Sequence, residues 1–273
     1  MAKILLSILA ILLFLPNLFD TDIHSVPAYD GKERFCSKLA YINNINKLEA
    51  HTDSIAVEQN ICIKSFEYCE LLEGIVKDRF YHSFSKFSLK ENWIAALSGQ
   101  WLEEGLACKV QPDDIMQHCN AACSQQSIVM MAVLRRKNIP YRKVGFPHHY
   151  AMEVSIGNIW YFMDADMEPF ITKTERMQHS WNHQNDLLKK HYDVNRFNDL
   201  DYKFGSGLTA TNGPVNEVPA SNAKIFQSVT FVLSRILWCF PLLLLLLNPS
   251  ISFISPHTLN IKRRNPPPVS LAV

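Results

Sequence analysis

A hairpin signal in the middle of the chain constrains the fold more than any other feature of the sequence. Residues 148–166 read HHYAMEVSIGNIWYFMDAD, in which two strand-like runs flank the tight-turn pair Gly157-Asn158. A two-residue turn at this pair places Ile156 directly opposite Ile159 and thereby sets the register of the whole hairpin. Because side chains alternate between the two faces of a strand, the register also decides which residues lie together.

One face of this hairpin is predicted to pack on a core, because all its members are apolar or amphipathic: Tyr150, Met152, Val154, Ile156, Ile159, Tyr161 and Met163. On the opposite face His149 lies directly across from Asp166 and diagonally across from Asp164. A carboxylate beside an imidazole fixes its tautomer and stabilises its charged form. The open end of the hairpin therefore has the parts of an acid–base pair.

A nucleophile that suits this pair is Cys123, at the predicted start of a buried helix from Ala122 to Lys137. The dipole and unpaired N–H groups of a helix start lower a thiol pKa and can hold an oxyanion. Cys119, one turn earlier, is a rival nucleophile, and His148 is a rival base. Strand alternation favours His149 over His148.

These residues occur in an order that resembles the transglutaminase-like superfamily of cysteine enzymes. After Cys123 the chain has LRRKNIPYR, then HYAMEV from His149 and WYFMD from Trp160, and the match covers residues 112–169. The resemblance implies a papain-like α+β core, in which the helix carrying the cysteine packs on an antiparallel sheet. It also implies Cys123 as nucleophile, His149 as base and Asp164 as orienting carboxylate.

The same resemblance leaves other residues in secondary roles. Asp166 and Glu168 are interpreted as structural or substrate-facing, because the family spacing selects Asp164. Gln117, six residues before Cys123, resembles the placement of the glutamine oxyanion donor in papain-like proteases. Trp160 is interpreted as a wall of the substrate groove or of the core.

Two alternatives to acyl transfer use the same cysteine region. A redox role for Cys119 and Cys123 is disfavoured because the C-x-x-C signature is absent. A zinc site is disfavoured because His148 and His149, as neighbours on a strand, point to opposite faces; its ligands would be His118, Cys119, Cys123, His148 and His149. No metal and no organic cofactor is expected.

Apolar segments near both ends of the chain predict attachment to a membrane. Residues 1–20 have the basic start and apolar run of a signal anchor or signal peptide, without a small-residue cleavage pattern. Residues 225–254 are long and apolar enough to predict a transmembrane helix, although Arg235 lies within them. Between them we expect one catalytic domain at 21–204 and a Gly/Pro/Ser/Asn-rich linker at 205–224.

The flanking charges predict the orientation of these segments. Lys3 precedes the first, Asp20 and Asp22 follow it, and the tail 255–273 carries three basic residues. The positive-inside rule then puts both termini in the cytoplasm and the domain outside.

Composition narrows the class of partner. With 27 basic and 26 acidic residues in 273, the chain gives no reason to expect nucleic acid. The sequence therefore predicts a membrane-anchored cysteine peptidase, amidase or transglutaminase that acts through a thioester on a peptide or protein amide at the cell envelope. The alternative is a non-catalytic binding or scaffolding module that has kept the same fold.

Overall fold

Helices form the first half of the chain and a small sheet follows them. The computed structural model describes residues 2–167, 171–178, 200–205 and 210–247 of the chain. The helices are α1 (Ala2–Phe14), α2 (Ile45–Glu58), α3 (Phe66–Arg79), α4 (Leu89–Trp101), α5 (Pro112–Ile115), α6 (Cys123–Arg136), α7 (Leu200–Phe204), α8 (Ser221–Ile236) and α9 (Cys239–Leu247). The strands are β1 (Tyr141–Gly145), β2 (Tyr150–Ile156), β3 (Ile159–Met163) and β4 (Thr211–Asn212).

Side-chain caps set the starts of α2, α3 and α4. Asn44 accepts a hydrogen bond from the Lys47 N–H at 2.9 Å at the start of α2. Ser65 caps α3 in the same way, and Ser88 forms a reciprocal capping box with Glu91 at the start of α4. Each cap satisfies backbone N–H groups that the helix itself leaves unpaired.

The sheet is antiparallel, with strand order β3-β2-β1-β4. Gly157 and Asn158 both have positive φ, 58° and 66°, as a tight two-residue hairpin turn requires. Ile156 pairs with Ile159, which confirms the predicted register. The α+β class predicted from the sequence is confirmed as well.

The main core lies between α6 and one face of the sheet, and α2 and α3 complete it. Of the hairpin face predicted to be apolar, Met152, Val154, Tyr161 and Met163 are buried in this core. Ile159, at the turn, is 42% exposed. A second, smaller cluster of buried residues covers the opposite face of the sheet: Val144, Phe146, Ala151, Phe162, Met167, Ile171 and Phe204.

Residues 210–217, which fall in the predicted linker, run along the edge of the sheet. Thr211–Asn212 pair with β1, and the Gly213 N–H donates to the Lys143 carbonyl at 2.9 Å. Asn216 then exchanges hydrogen bonds with the Tyr141 backbone, at 2.8 and 3.1 Å. This segment is rich in Gly, Pro and Asn, yet backbone pairing with β1 holds it to the domain.

α8 packs on α4 through polar side chains. Gln227, Thr230 and Ser234 are all buried. Thr230 and Ser234 bond the side chain of Asn92, at 2.9 Å each, where α4 has a non-helical residue. The outward face of α8 is apolar and exposed: Ile225, Val229, Phe231, Val232 and Ile236. This helix therefore buries its polar face and exposes its apolar face, which is the reverse of an amphipathic helix in a soluble domain.

No single helix in the described part of the chain is both long and apolar enough to cross a bilayer. α8 and α9 meet the requirement only as a pair bent by 53°, and Ala2–Leu18 form a shorter apolar helix. Pro241 explains the break, because its ring clashes with the carbonyl four residues earlier, at Leu237. The remainder of the predicted span and the tail 255–273 lie outside the described residues.

Candidate active site

Cys123 is the first residue of α6 and is partly buried. The buried amide of Gln125 holds this helix start by accepting from the Ser85 and Ala122 N–H groups, at 2.8 and 3.2 Å. The same amide donates to the carbonyls of Ser85 and Lys109, at 2.9 and 2.8 Å. The thiol is thus at the positive end of a helix, where negative charge is favoured.

His149 precedes β2 and is buried, with 4% of its surface exposed. Its Nε2 lies 2.7 Å from Oδ2 of Asp164, the residue that follows β3. The backbone N–H of Asp164 donates to Glu73 on α3 at 2.5 Å, and Glu73 also pairs with Arg176 at 3.0 Å. Glu73 therefore holds the Asp164 backbone, and the Asp164 carboxylate, whose Oδ1 accepts the Met167 N–H at 3.2 Å, orients the imidazole.

The Cys123, His149 and Asp166 side chains form a cluster. The Cys123 sulfur, a ring nitrogen of His149 and a carboxylate oxygen of Asp166 all lie within 4.8 Å of one another. His149 Nδ1 is buried and has no nitrogen or oxygen partner among the described residues, whereas Nε2 is bonded to Asp164. A ring nitrogen of His149 thus lies within 4.8 Å of the Cys123 sulfur, while Asp164 holds the ring from Nε2.

The charges around His149 favour its protonated form. Burial by itself lowers the pKa of His149, but the Asp164 carboxylate and the Cys123 sulfur outweigh it and raise the pKa to about 10. An imidazolium held beside a thiol stabilises the thiolate. The arrangement thus supplies the positive charge of a thiolate–imidazolium pair, on His149.

Asp166 has partners that the sequence did not reveal. Its Oδ1 lies 2.6 Å from His82 Nδ1 and accepts from Gln126 Nε2 at 3.0 Å. Gln126 is three residues after Cys123 on α6, so helical spacing was a signal for it. His82 lies 41 residues before Cys123 in irregular sequence, where no local pattern marks it.

The other sequence candidates lie away from this cluster. Gln117 is exposed and donates to the Asn43 carbonyl at 2.8 Å. The ring of His148 stacks on Tyr202 at 3.8 Å between centroids. The Arg142 guanidinium lies over the Trp160 ring, with its Cζ 4.3 Å from the ring centre.

The remaining candidates are Cys119 and Glu168. Cys119 forms no disulfide with Cys123, and all seven cysteines are unpaired. Glu168 lies outside the described residues.

A cavity opens next to the start of α6 and extends to the residues before α8. Its polar lining includes Ser124, Lys143, Tyr150 and Glu217. Burial raises the pKa of Tyr150 to about 12, with smaller contributions from Glu217 and Cys123. Because Ser124, the residue after Cys123, lines this cavity, the cavity lies beside the helix start that carries the thiol.

The ligand atoms of this cluster are also close enough together to hold a metal ion. No other group of His, Cys, Asp and Glu in the described ranges has this spacing. Two of its three members already form hydrogen bonds with other side chains: His149 with Asp164, and Asp166 with His82 and Gln126. The zinc set considered from the sequence is not assembled, because His118 lies beside Lys109 and Glu91. We interpret the cluster as an acid–base site.

No family model, curated protein or solved structure matches this chain.

Proposed function

We propose that this protein is a cysteine acyl-transfer enzyme with a transglutaminase-like core. The observation that carries the proposal is the environment of His149: Asp164 holds the ring at Nε2, and a ring nitrogen lies within 4.8 Å of the Cys123 sulfur. The order of these residues along the chain supports the family, and a Cys-His-Asp cluster at a helix start is compatible with it.

In the proposed reaction the Cys123 thiolate attacks the carbonyl carbon of an amide, and the carbonyl oxygen takes the negative charge. The N–H groups at the start of α6 favour that charge. When the tetrahedral intermediate collapses, the C–N bond breaks and His149 gives its proton to the leaving nitrogen. A thioester on Cys123 remains.

The second half-reaction returns the enzyme to its first state. Neutral His149 takes a proton from water or an amine as that nucleophile attacks the thioester, and the sulfur leaves as thiolate. Asp164 keeps the ring in one orientation and stabilises its charge throughout. Water gives a peptidase or amidase and an amine gives a cross-linking transferase; we favour hydrolysis, because nothing marks an amine site.

The pH dependence of thiol alkylation tests the proposal. The full chain in detergent is treated with iodoacetamide, and the adduct at Cys123 is followed by mass spectrometry. The wild type is expected to show a thiol pKa well below the ordinary value of about 8.5, and His149→Ala to return it towards that value. The control, His148→Ala, removes a ring that stacks on Tyr202 and should leave the profile unchanged. An ordinary pKa in the wild type contradicts the proposal and favours the binding-module alternative.

A second test looks for the covalent intermediate. An activated ester of a small carboxylic acid should acylate Cys123, and hydroxylamine should remove the acyl group, as expected of a thioester. Cys123→Ser should lose the modification, whereas Cys119→Ser should keep it. Acylation that persists in Cys123→Ser would mean that another residue is the nucleophile.

We also propose that the protein is held in a membrane by its two apolar segments, with the domain outside. The inverted polarity of α8 supports this, since a helix with its polar face on the domain presents the other face to lipid. The contact of α1 with α9 supports it too. Phe14 packs on Trp238, the residue before α9, with 5.3 Å between ring centres, and Lys3 and Leu245 line the same surface groove. In this antiparallel contact the start of α1 and the end of α9 lie on the same side, which supports the orientation inferred from the flanking charges.

The native Cys62 offers a test of this topology, because it is exposed and belongs to the proposed external domain. A membrane-impermeant maleimide should label it in intact cells. Labelling that requires lysis would place the domain in the cytoplasm and contradict the proposed orientation.

A further inference from the structure

A second histidine–carboxylate pair lies at the proposed nucleophile. His82 Nδ1 and Asp166 Oδ1 are 2.6 Å apart, and Gln126 donates to the same oxygen at 3.0 Å. The Asp166 side chain is 2% exposed and that of His82 is 38% exposed, so the pair runs from the interior to the surface. This pair is separate from His149 and Asp164, which bond each other at 2.7 Å.

The position of Asp166 poses an electrostatic problem for a thiolate. Its carboxylate is in the cluster whose atoms lie within 4.8 Å of one another, and Cys123 supplies the sulfur of that cluster. A negative charge at this distance in a buried site disfavours the ionisation of the thiol. The single positive charge of His149 does not balance three negative charges, those of the Cys123 thiolate, Asp164 and Asp166. A second positive charge is therefore needed beside Asp166 if Cys123 is to react as a thiolate.

We propose that His82 is a positioning residue that supplies this charge: paired with Asp166, it neutralises the carboxylate and allows the Cys123 thiolate to form next to it. This inference rests on the proposed function, because it assigns His82 and Asp166 to the activation of the same nucleophile. The site then contains two imidazolium groups for two carboxylates and one thiolate. Its net charge is one unit negative when Cys123 is ionised and zero when it is protonated.

The groups around His82 agree with a protonated ring. The charge of Asp166 raises the pKa of His82 to about 9, burial opposes this, and Cys123 adds to the increase. Lys203 on α7 acts in the opposite direction. The Glu33 carboxylate accepts the backbone N–H of His82 at 2.7 Å and adds another negative charge nearby.

A double-mutant cycle on the thiol pKa tests the inference. Alkylation of Cys123 in the full chain is measured against pH, with EDTA present, for His82→Gln, Asp166→Asn and the double variant. His82→Gln leaves Asp166 uncompensated and should raise the thiol pKa by about one unit, which reduces the alkylation rate at pH 6–7 roughly tenfold. Removing Asp166 as well should restore most of that rate. A merely structural role for His82 predicts no such restoration.

A second pair of variants tests the inference even if the Asp166→Asn protein does not fold. His82→Lys keeps a positive charge and should keep the alkylation rate within about threefold of wild type, in contrast to His82→Gln. His148→Gln is the matched control, since that ring stacks on Tyr202. Melting curves are recorded for every variant, so that a loss of structure is recognised.

The outcomes separate this inference from the proposed function. If His149→Gln raises the thiol pKa and His82→Gln does not, the nucleophile is activated by His149 alone and the role of His82 is refuted. If neither variant changes it, the proposed function fails. Equal effects of His82→Lys and His82→Gln would also refute the inference, because charge would then not be the reason.

Discussion

Gln125→Leu provides a sharp test of how the helix start is held. The side chain is 1% exposed and contacts four backbone groups, two N–H donors and two carbonyls, from three separate segments. Leucine has a similar volume but leaves all four groups without this partner. A buried polar group that loses its hydrogen bond costs about 1–3 kcal/mol. The apolar surface of leucine returns roughly 2 kcal/mol.

At about 1.5 kcal/mol for each of the four groups, less the contribution of leucine, the net loss expected for Gln125→Leu is about 4 kcal/mol. This lowers the melting temperature of a domain of this size by roughly 8–16 °C. Gln117→Leu is the matched control, since its exposed amide makes one hydrogen bond, to the Asn43 carbonyl. Its cost should be below about 1 kcal/mol. The assay is thermal unfolding of the full chain in detergent, followed by circular dichroism. A melting temperature for Gln125→Leu within about 2 °C of the control would refute the reasoning.

Three further predictions concern stability. Because the pKa of His149 rises from 6.5 to about 10 on folding, its stabilising contribution is complete below pH 6.5 and is lost as the pH rises to 10; urea midpoints should fall over that range, and less steeply in His149→Gln. Glu73→Gln removes the carboxylate that Arg176 pairs with in the interior and should cost about 3–5 kcal/mol in urea unfolding, against under about 1 kcal/mol for the exposed Glu67→Gln. Asn92→Ala removes three of the hydrogen bonds that hold α8 on α4, so trypsin should cleave α8 several times faster than in wild type, and an unchanged rate would contradict that role.

The hairpin and the helix start were predictable because their signals are local. Gly157-Asn158 allows the positive φ values of a tight turn, and this fixes the register that brings His149 to the end of the sheet. Alternation also separated His149 from His148. The start of α6 at Cys123 followed from the apolar run after it and the basic residues at its end.

The remaining features depend on contacts between distant segments. His82 and Asp166 are in contact although they are 84 residues apart in the sequence, and neither lies in a motif that predicts the contact. Residues 211–217 have the composition of a linker, and only the free edge of β1 makes them part of the sheet. α8 did carry a signal: Gln227, Thr230 and Ser234 recur at helical spacing, but an average hydropathy over the segment conceals them.

The attachment of residues 211–217 to β1 has a mechanical consequence. β1 pairs with β2, and β2 begins directly after His149, so one hydrogen-bonded sheet connects the segment that leads to α8 with the residue next to His149. A force that displaces α8 relative to the domain is therefore carried first by the β1–β4 edge and by the contacts of α8 with α4. The domain is expected to move with its C-terminal helices as one body, so that the candidate site keeps a constant height and orientation relative to them.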